Sequence, residues 1–277
     1  MIAPSLWAKQ TDMNQDIPQS PAAVSENLDP KIRDGMTDFG YAAVPIDQKQ
    51  AKVGEVFASV ARSYDLMNDL MSLGVHRIWK AALMDWLAPR SSQTLLDVAG
   101  GTGDIARLWR KRGGGNVTIC DINPDMLAVG ADRLEKAGGD DGITFVEGNA
   151  EKLPFPDNSF DRVAIAFGLR NVTRIDTAIA DMRRVLRPGG RFMCLEFSRP
   201  TQPWLDPIYD AYSFKILPKV GQLVAKDGEA YQYLVESIRK FPDQAELTRR
   251  MENSGFERVS CRNLSAGIAA IHSGWRL

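Results

Sequence analysis

The stretch that decides the fold is Leu95-Leu96-Asp97-Val98-Ala99-Gly100-Gly101-Thr102-Gly103-Asp104. A short apolar run leads into a glycine-rich turn, and the residues after the turn have the hydrophobic spacing of a helix. This order puts the backbone N–H groups of Gly101, Thr102 and Gly103 near a helix N-terminus, where they can face a ligand. The segment therefore predicts a nucleotide-type site at the end of a parallel strand.

Short β-rich runs alternate with helical runs on both sides of this turn, beyond Pro89. We predict strands near 94–98, 117–121, 143–147, 161–166 and 191–197. We predict helices near 104–112, 124–137 and 174–187, and Pro188-Gly189-Gly190 ends the last of them. A further helix at 245–254 is followed by strands near 256–262 and 267–272. This alternation indicates an α/β fold with a doubly wound, mostly parallel, seven-stranded, Rossmann-like sheet.

The segments on either side of this α/β region differ from it in composition and in hydrophobic spacing. Residues 1–37 are polar and proline-rich, which predicts a disordered tail, whereas 38–277 form a single domain. A mitochondrial presequence is the alternative for the tail, but its five acids outnumber its three bases, unlike an arginine-rich presequence. Apolar residues at helical spacing predict N-terminal helices within 38–90, and an aromatic-rich insertion at 199–244, after the fifth strand, predicts a lid over the substrate.

Composition excludes several functional classes. Thirty-four basic residues against 35 acidic residues give a net charge of −1, so the sequence lacks the broad basic surface of a nucleic-acid-binding protein. Three cysteines without a CxxC spacing and two histidines predict neither a disulfide framework nor a metal site. The cysteines all fall on predicted strands and are expected in the core. We therefore expect a metal-free cytoplasmic protein whose membrane contact, if any, is peripheral to the inner membrane.

Two carboxylates indicate which nucleotide-type ligand the turn binds. Asp121 closes the next predicted strand, about 20 residues after the glycines, where a carboxylate accepts hydrogen bonds from both ribose hydroxyls of NAD or of S-adenosylmethionine. Asp97 distinguishes the two, because it repels a pyrophosphate and attracts the ammonium of a methionine moiety. S-adenosylmethionine is the favoured cofactor, and NAD, FAD or a purely structural loop are the alternatives. Asn149, at the end of the third strand, is expected to bind the adenine edge or merely to cap a turn.

Three further stretches resemble a known family. Residues 64–79 and 184–198 look like the two signatures of the ubiquinone/menaquinone biosynthesis C-methyltransferase (UbiE) family, and 167–172, Phe-Gly-Leu-Arg-Asn-Val, resembles its loop after the fourth strand. The likeness continues through 209–214, 242–244 and 263–267, so it covers about 39–277.

The resemblance implies a class I S-adenosylmethionine-dependent methyltransferase. Its substrates would be a demethylmenaquinol and a 2-polyprenyl-6-methoxy-1,4-benzoquinol. Carried over to matching positions, the cofactor residues are Thr102, Asp121, Asn149, Ala150 and the position of Ala166. The family usually has serine at that last position, and alanine removes one hydroxyl hydrogen bond there.

Ring methylation needs an electron-rich carbon, which a quinol gains when it loses a phenolic proton with a pKa near 10. Arg170 and Asn171 follow the fourth strand at its carboxyl end, where open α/β sheets bind ligands. We predict that Arg170 stabilises the phenolate and that Asn171 hydrogen-bonds the ring oxygen; a pair that only fixes a helix start is the alternative. Tyr64 is a third candidate site residue, and His76 is either a base or a structural residue.

The partners follow from the substrate. A polyprenylated quinol dissolves in lipid, so we expect peripheral membrane contact through the aromatic insertion, where Trp204, Tyr209, Tyr212 and Phe214 lie beside Lys215 and Lys219. A packed lid is the alternative reading of these aromatics. The expected protein partners are other proteins of quinone synthesis and a second copy of this chain in a homodimer. The competing functions are an NAD-dependent oxidoreductase and a non-catalytic scaffold of a quinone-synthesis complex.

Overall fold

Seven strands form the central sheet of the protein, seen here in a computed structural model. The structure describes residues 35–60, 68–69, 72, 74–202, 204, 207, 214 and 228–277. Almost all of the tail predicted at 1–37 lies outside these described residues, as do Tyr64 and about half of the aromatic insertion, including Tyr209 and Tyr212.

The described elements alternate as the sequence predicts. The strands are β1 Met36–Phe39, β2 Ala42–Pro45, β3 Leu95–Val98, β4 Val117–Asp121, β5 Ile143–Glu147, β6 Phe160–Ala166, β7 Leu186–Phe197, β8 Glu257–Leu264 and β9 Ala269–Arg276. The helices are α1 Ile46–Val60, α2 His76–Leu87, α3 Asp104–Lys111, α4 Pro124–Lys136, α5 Ile175–Val185, α6 Gly228–Lys240 and α7 Gln244–Asn253. Short 3-10 turns cover Leu169–Asn171 and Ser265–Gly267.

The large sheet has the strand order β5-β4-β3-β6-β7-β9-β8. Strands β3 to β7 pair in parallel, and β9 pairs antiparallel with both β7 and β8. The chain runs outward from β3 through β4 to β5 and then returns to the other side of β3 at β6. The predicted doubly wound, mostly parallel, seven-stranded sheet is confirmed, and the carboxyl ends of β3 and β6 flank the reversal point where such sheets bind ligands.

Helices cover both faces of this sheet, so its central strand β3 is buried on both sides, whereas the edge strand β8 is largely exposed. Leu95 and Leu96, neighbours in β3, are both fully buried and belong to two separate core clusters. Burial on both faces explains why the strands read as continuous apolar runs in the sequence. Helix α4 begins where Asn123 caps it, its side-chain oxygen accepting from the backbone N–H of Asp125 at 2.9 Å, with proline at the first helical position.

Three details differ from the sequence-based expectations. An antiparallel hairpin, β1 and β2, precedes the N-terminal helix and was not predicted, because its strands are only four residues long. Helix α5 ends at Val185, two residues before its predicted end at 187. Arg187 precedes Pro188 and therefore disfavours helical backbone, and β7 begins at Leu186. Ile78 is one of the apolar residues whose helical spacing predicts a buried helix face near 78–87, but it is 68% exposed.

Candidate active site

A cavity of about 1090 Å³, counting its open mouth, lies at the carboxyl ends of β3 to β6, and we call it the cofactor cavity. Its lining includes most of the cofactor residues expected from the sequence, namely Asp97, Gly101, Thr102, Asp121, Asn149, Ala150 and Ala166, and also Asn171. Gly103 is not among the lining residues and instead caps α3. The fold thus gathers residues from four strand ends around one space.

The glycine turn needs its glycines for backbone conformation. Gly101 has a φ of +52° and Gly103 a φ of +81°, in the left-handed region that favours glycine. A Cβ on Gly101 would also come within 2.9 Å of the Met126 side chain. The turn can therefore bring its backbone close to a ligand.

Asp97 is a buried carboxylate without a partner. It is 1% exposed, and neither oxygen has a hydrogen bond of full geometry from a described residue, although the backbone N–H of Ala106 lies near enough to lower its pKa. Burial raises its pKa to about 8. A buried carboxylate in this state gains most from a cationic ligand, so the ammonium of S-adenosylmethionine fits it and a pyrophosphate does not.

Asp121 is held in place by the loops around it. Its Oδ2 accepts from the backbone N–H of Gly101 and its Oδ1 from that of Asn123, both at 2.9 Å. Burial raises its pKa to about 6, and these backbone donors oppose the rise. The carboxylate is therefore ionised near neutral pH and positioned at the cavity wall, as a pair of ribose hydroxyls requires.

Asn149 caps a turn and also lines the cofactor cavity. Its Oδ1 accepts from the backbone N–H of Glu151 at 2.8 Å, which is the turn-capping contact, and the residue also lines the cofactor cavity. Capping fixes the side chain in place beside Ala150.

Helix α1 supplies another part of the wall of the cofactor cavity. Gln50, Val53, Gly54 and Phe57 line the cavity from this helix. The Asn123 side chain donates to the Gly54 carbonyl at 3.3 Å, which ties α1 to the turn after β4.

Several contributors to the site were missed from the sequence. Ala99 and Phe167, with φ values of 50° and 58°, line the cavity in a backbone conformation that is strained for residues other than glycine. Lys80 and Asp104 form an ion pair of 2.8 Å at the cavity wall. Burial alone would raise the pKa of Asp104, but the Lys80 ammonium holds it below its usual range. Neither strain nor a pair 24 residues apart has a local sequence signal.

Arg170 lies outside the cofactor cavity, in a buried ion pair. Its Nη1 is 2.9 Å from Glu196 Oε2 and donates to the Phe167 carbonyl at 2.6 Å. Its backbone N–H also donates to Glu196 Oε1 at 3.2 Å. Glu196, another residue missed from the sequence, thereby anchors the turn Leu169–Asn171. Asn171 does line the cofactor cavity, and its Oδ1 accepts from the Tyr233 hydroxyl at 3.1 Å.

A second cavity, which we call the polar cleft, lies on the other side of this turn and has a volume of about 870 Å³ with its mouth. Its walls include Lys49, Arg170 and Tyr233, and it shares Val172 and Thr173 with the cofactor cavity. Arg170 and Asn171 therefore face two adjacent spaces.

The histidines and cysteines have surroundings typical of core residues. His76 is 3% exposed, and its Nε2 lies 2.9 Å from Asp69 Oδ1. It is absent from the lining of the cofactor cavity, which favours the structural reading over that of a base. Cys120 and Cys194 are buried in strands, and Cys261 is half-buried.

Comparisons with known proteins agree with this geometry. The model of the ubiE/COQ5 methyltransferase family matches residues 46–276. Proteins of Paracoccus denitrificans (strain Pd 1222) and Acidiphilium cryptum (strain JF-5), both named ubiquinone/menaquinone biosynthesis C-methyltransferase UbiE, are 57% and 58% identical. The first alignment spans 87% of this chain and 97% of that protein, and the second 87% and 96%.

Among solved structures, a SAM-dependent methyltransferase from Aquifex aeolicus superposes with a TM-score of 0.57 at 16% identity, covering 79% of this chain and 98% of that one. At that identity the likeness supports the fold alone. The family model and the two relatives, each spanning most of the chain, decide the classification. The chain belongs to the ubiE/COQ5 methyltransferase family.

Proposed function

We propose that this protein transfers the methyl group of S-adenosylmethionine to a ring carbon of a quinol in the biosynthesis of ubiquinone, menaquinone or both. The observation that carries the proposal is Asp97, a buried carboxylate without a partner at the cofactor cavity. An NAD-dependent oxidoreductase would place a pyrophosphate near this turn, and Asp97 opposes that. The relatives named as quinone C-methyltransferases support the choice of substrate.

Each of the proposed cofactor residues contacts a different part of S-adenosylmethionine. Asp97 takes the ammonium, Asp121 takes the ribose hydroxyls, and Asn149 with Ala150 borders the adenine. The backbone of Gly101 and Thr102 can approach S-adenosylmethionine closely, and Ala166 adds an apolar contact. S-adenosylmethionine supplies an electrophilic methyl group when bound, and the chain supplies its position and shields it from water.

The substrate must be in its reduced form. A quinone ring carbon is electrophilic and cannot attack a methyl group on a sulfonium, whereas a quinol that has lost a proton pushes charge onto the carbon ortho to its oxygen. Arg170 has two buried guanidinium nitrogens, Nε and Nη2, without a hydrogen bond to any described residue. These donors support its role in stabilising the phenolate oxygen. Asn171 is proposed to hydrogen-bond the ring oxygen, and Tyr64 keeps its proposed place in the site.

An anaerobic assay tests the function. Purified protein is incubated with labelled S-adenosylmethionine and a short-chain demethylquinol, with and without reductant. We expect methylated quinol only under reducing conditions, and cofactor binding that NADH does not displace. Equal rates from quinone and quinol would overturn the mechanism, and displacement of the cofactor by NADH would overturn the ligand assignment.

Membrane contact is the second part of the proposal. Three exposed aromatic residues lie among the described residues of the hairpin and the insertion: Trp204, 65% exposed, Tyr41, 54%, and Phe214, 40%. Tyr41 stacks on Phe214 with ring centroids 6.3 Å apart. None of the described helices is long and apolar enough to cross a bilayer.

Exposed aromatics of this kind suit the interfacial region of a bilayer, from which a polyprenyl chain could enter the site. Liposome flotation tests the contact, and protein that stays at the bottom of the gradient with and without quinone would contradict it. Contacts with other proteins of quinone synthesis and a homodimer stay predictions.

A further inference from the structure

The polar cleft contains a lysine that the cofactor site does not use. Lys49 lies on α1, next to Gln50 of the cofactor cavity, and is only 6% exposed. Its Nζ donates to the Val172 carbonyl at 3.2 Å, and no carboxylate of the described residues forms an ion pair with it within 4.0 Å. A buried amine without a close counter-ion is costly to keep charged.

The charge state of Lys49 reflects this environment. Burial lowers its pKa to about 8, while the more distant carboxylates of Asp38 and Glu151 oppose the fall. The cleft also holds Asp176 and the cations Arg170, Arg174, Lys240 and Arg250, together with the phenol of Tyr233. Arg250 is paired with Asp176 at 3.1 Å, and Lys240 lies 3.8 Å from Asp38. At neutral pH about a tenth of the molecules therefore carry Lys49 as a free amine.

Arg170 lines the same cleft and complements the amine. Its Nε and Nη2 are buried and make no hydrogen bond to a described residue, while Nη1 is occupied by Glu196 and Phe167. Arg170 and Lys49 thus line the same cleft, and an oxygen that enters it meets, at Lys49, a group that can receive a proton, with the Arg170 guanidinium in the cleft wall. Val172 and Thr173 border both cavities, so the polar cleft and the cofactor cavity adjoin each other at these two residues.

We propose that the polar cleft binds a phenolic oxygen of the quinol and that Lys49 accepts the proton of that hydroxyl. The O–H bond breaks, its proton bonds to the lone pair of Lys49 Nζ, and the electron pair stays on the oxygen beside Arg170. The ring carbon then forms its bond to the methyl group with this electron density, while the bond between that methyl group and sulfur breaks and leaves its electron pair on sulfur. The proton of the ring carbon leaves to water. The inference rests on the proposed function and assigns its proton acceptor.

The test compares three substitutions over pH 6–10. Lys49→Met removes the base, Lys49→Arg keeps the positive charge but cannot lose its proton, and Lys52→Met is the matched control on the same helix. Methyl transfer to a short-chain quinol is measured as kcat, and binding of S-adenosylmethionine by calorimetry confirms that each variant is folded and loaded.

We expect wild-type kcat to rise about tenfold per pH unit up to about 8 and then to level off. Both Lys49 variants should lose on the order of 10²- to 10⁴-fold in kcat and should lack the step near pH 8, whereas Lys52→Met behaves as wild type. A fourth variant, Lys49→Ala, is assayed with added methylamine, which should restore part of the rate, as a purely structural role would not allow.

Two results would overturn the proposal: a Lys49→Arg variant with nearly full activity, or an unchanged pH profile in Lys49→Met. These failures differ from failure of the proposed function, in which wild-type protein itself would not methylate the quinol. If wild type is active and binds cofactor while the Lys49 variants keep its rate and profile, only the proton acceptor is wrongly assigned.

Discussion

Replacing Asp97 with asparagine is expected to stabilise the ligand-free protein and, at the same time, to weaken cofactor binding. The pKa of this carboxyl is about 8 in the folded chain against an ordinary value of 3.8, because burial disfavours the charged form. A carboxyl whose folded-state pKa is raised destabilises the fold progressively as pH increases from 3.8 to 8, by about 1.4 kcal/mol per pH unit.

The magnitude follows from these two values. At pH 7 the folded state is destabilised by about 4 kcal/mol, as an upper estimate, relative to a residue that does not titrate. Asparagine has the same shape but leaves an amide buried without a partner, which costs about 1–3 kcal/mol. The expected net gain is therefore about 1–3 kcal/mol, and each kcal/mol raises the Tm by roughly 2–4 °C for a domain of this size.

Thermal unfolding with and without S-adenosylmethionine measures both effects. Asp97→Asn should unfold several degrees above wild type when free, yet gain much less from the ligand, because the ammonium loses a charged acceptor contributing roughly 1.5–3 kcal/mol. Asp141→Asn, an exposed carboxylate, is the control that should change neither value. Calorimetry of the wild type in two buffers should show a proton released on binding below pH 8. A free variant less stable than wild type, or one with undiminished ligand stabilisation, would refute the reasoning.

Three other substitutions address the rest of the site. Asp121→Ala should weaken S-adenosylmethionine binding by roughly 1.5–3 kcal/mol per lost hydrogen bond, and unchanged affinity by calorimetry in a folded variant would remove Asp121 from the site. Glu196→Gln should lower the free energy of unfolding by about 3 kcal/mol in urea titrations, because it leaves the buried Arg170 charge without its counter-ion; wild-type stability would contradict that dependence. Arg170→Ala should reduce turnover on the order of 10²- to 10³-fold with Arg170→Lys only partly active, and full turnover in the alanine variant would end its assignment to the phenolate.

The sequence by itself determined the parallel sheet and predicted where the cofactor binds. A strand buried on both faces is a continuous apolar run, and the turn after β3 carries glycines because Gly101 and Gly103 adopt positive φ. Both features are local, so the residues display them directly. Asp97 and Asp121 could be predicted as cofactor residues for the same reason, since each stands at a fixed distance from the turn along the chain.

Only the tertiary structure decided which side chains share a space. Arg170 and Asn171 are neighbours in sequence, yet they face different cavities, because the turn that contains them is anchored by Glu196, 26 residues away. The burial of Lys49 depends on packing of α1 against a segment 123 residues further along the chain. The pKa shifts of Asp97 and Lys49 arise from removal of water by distant segments. Such desolvation is a property of the packed chain, and no local pattern of residues encodes it.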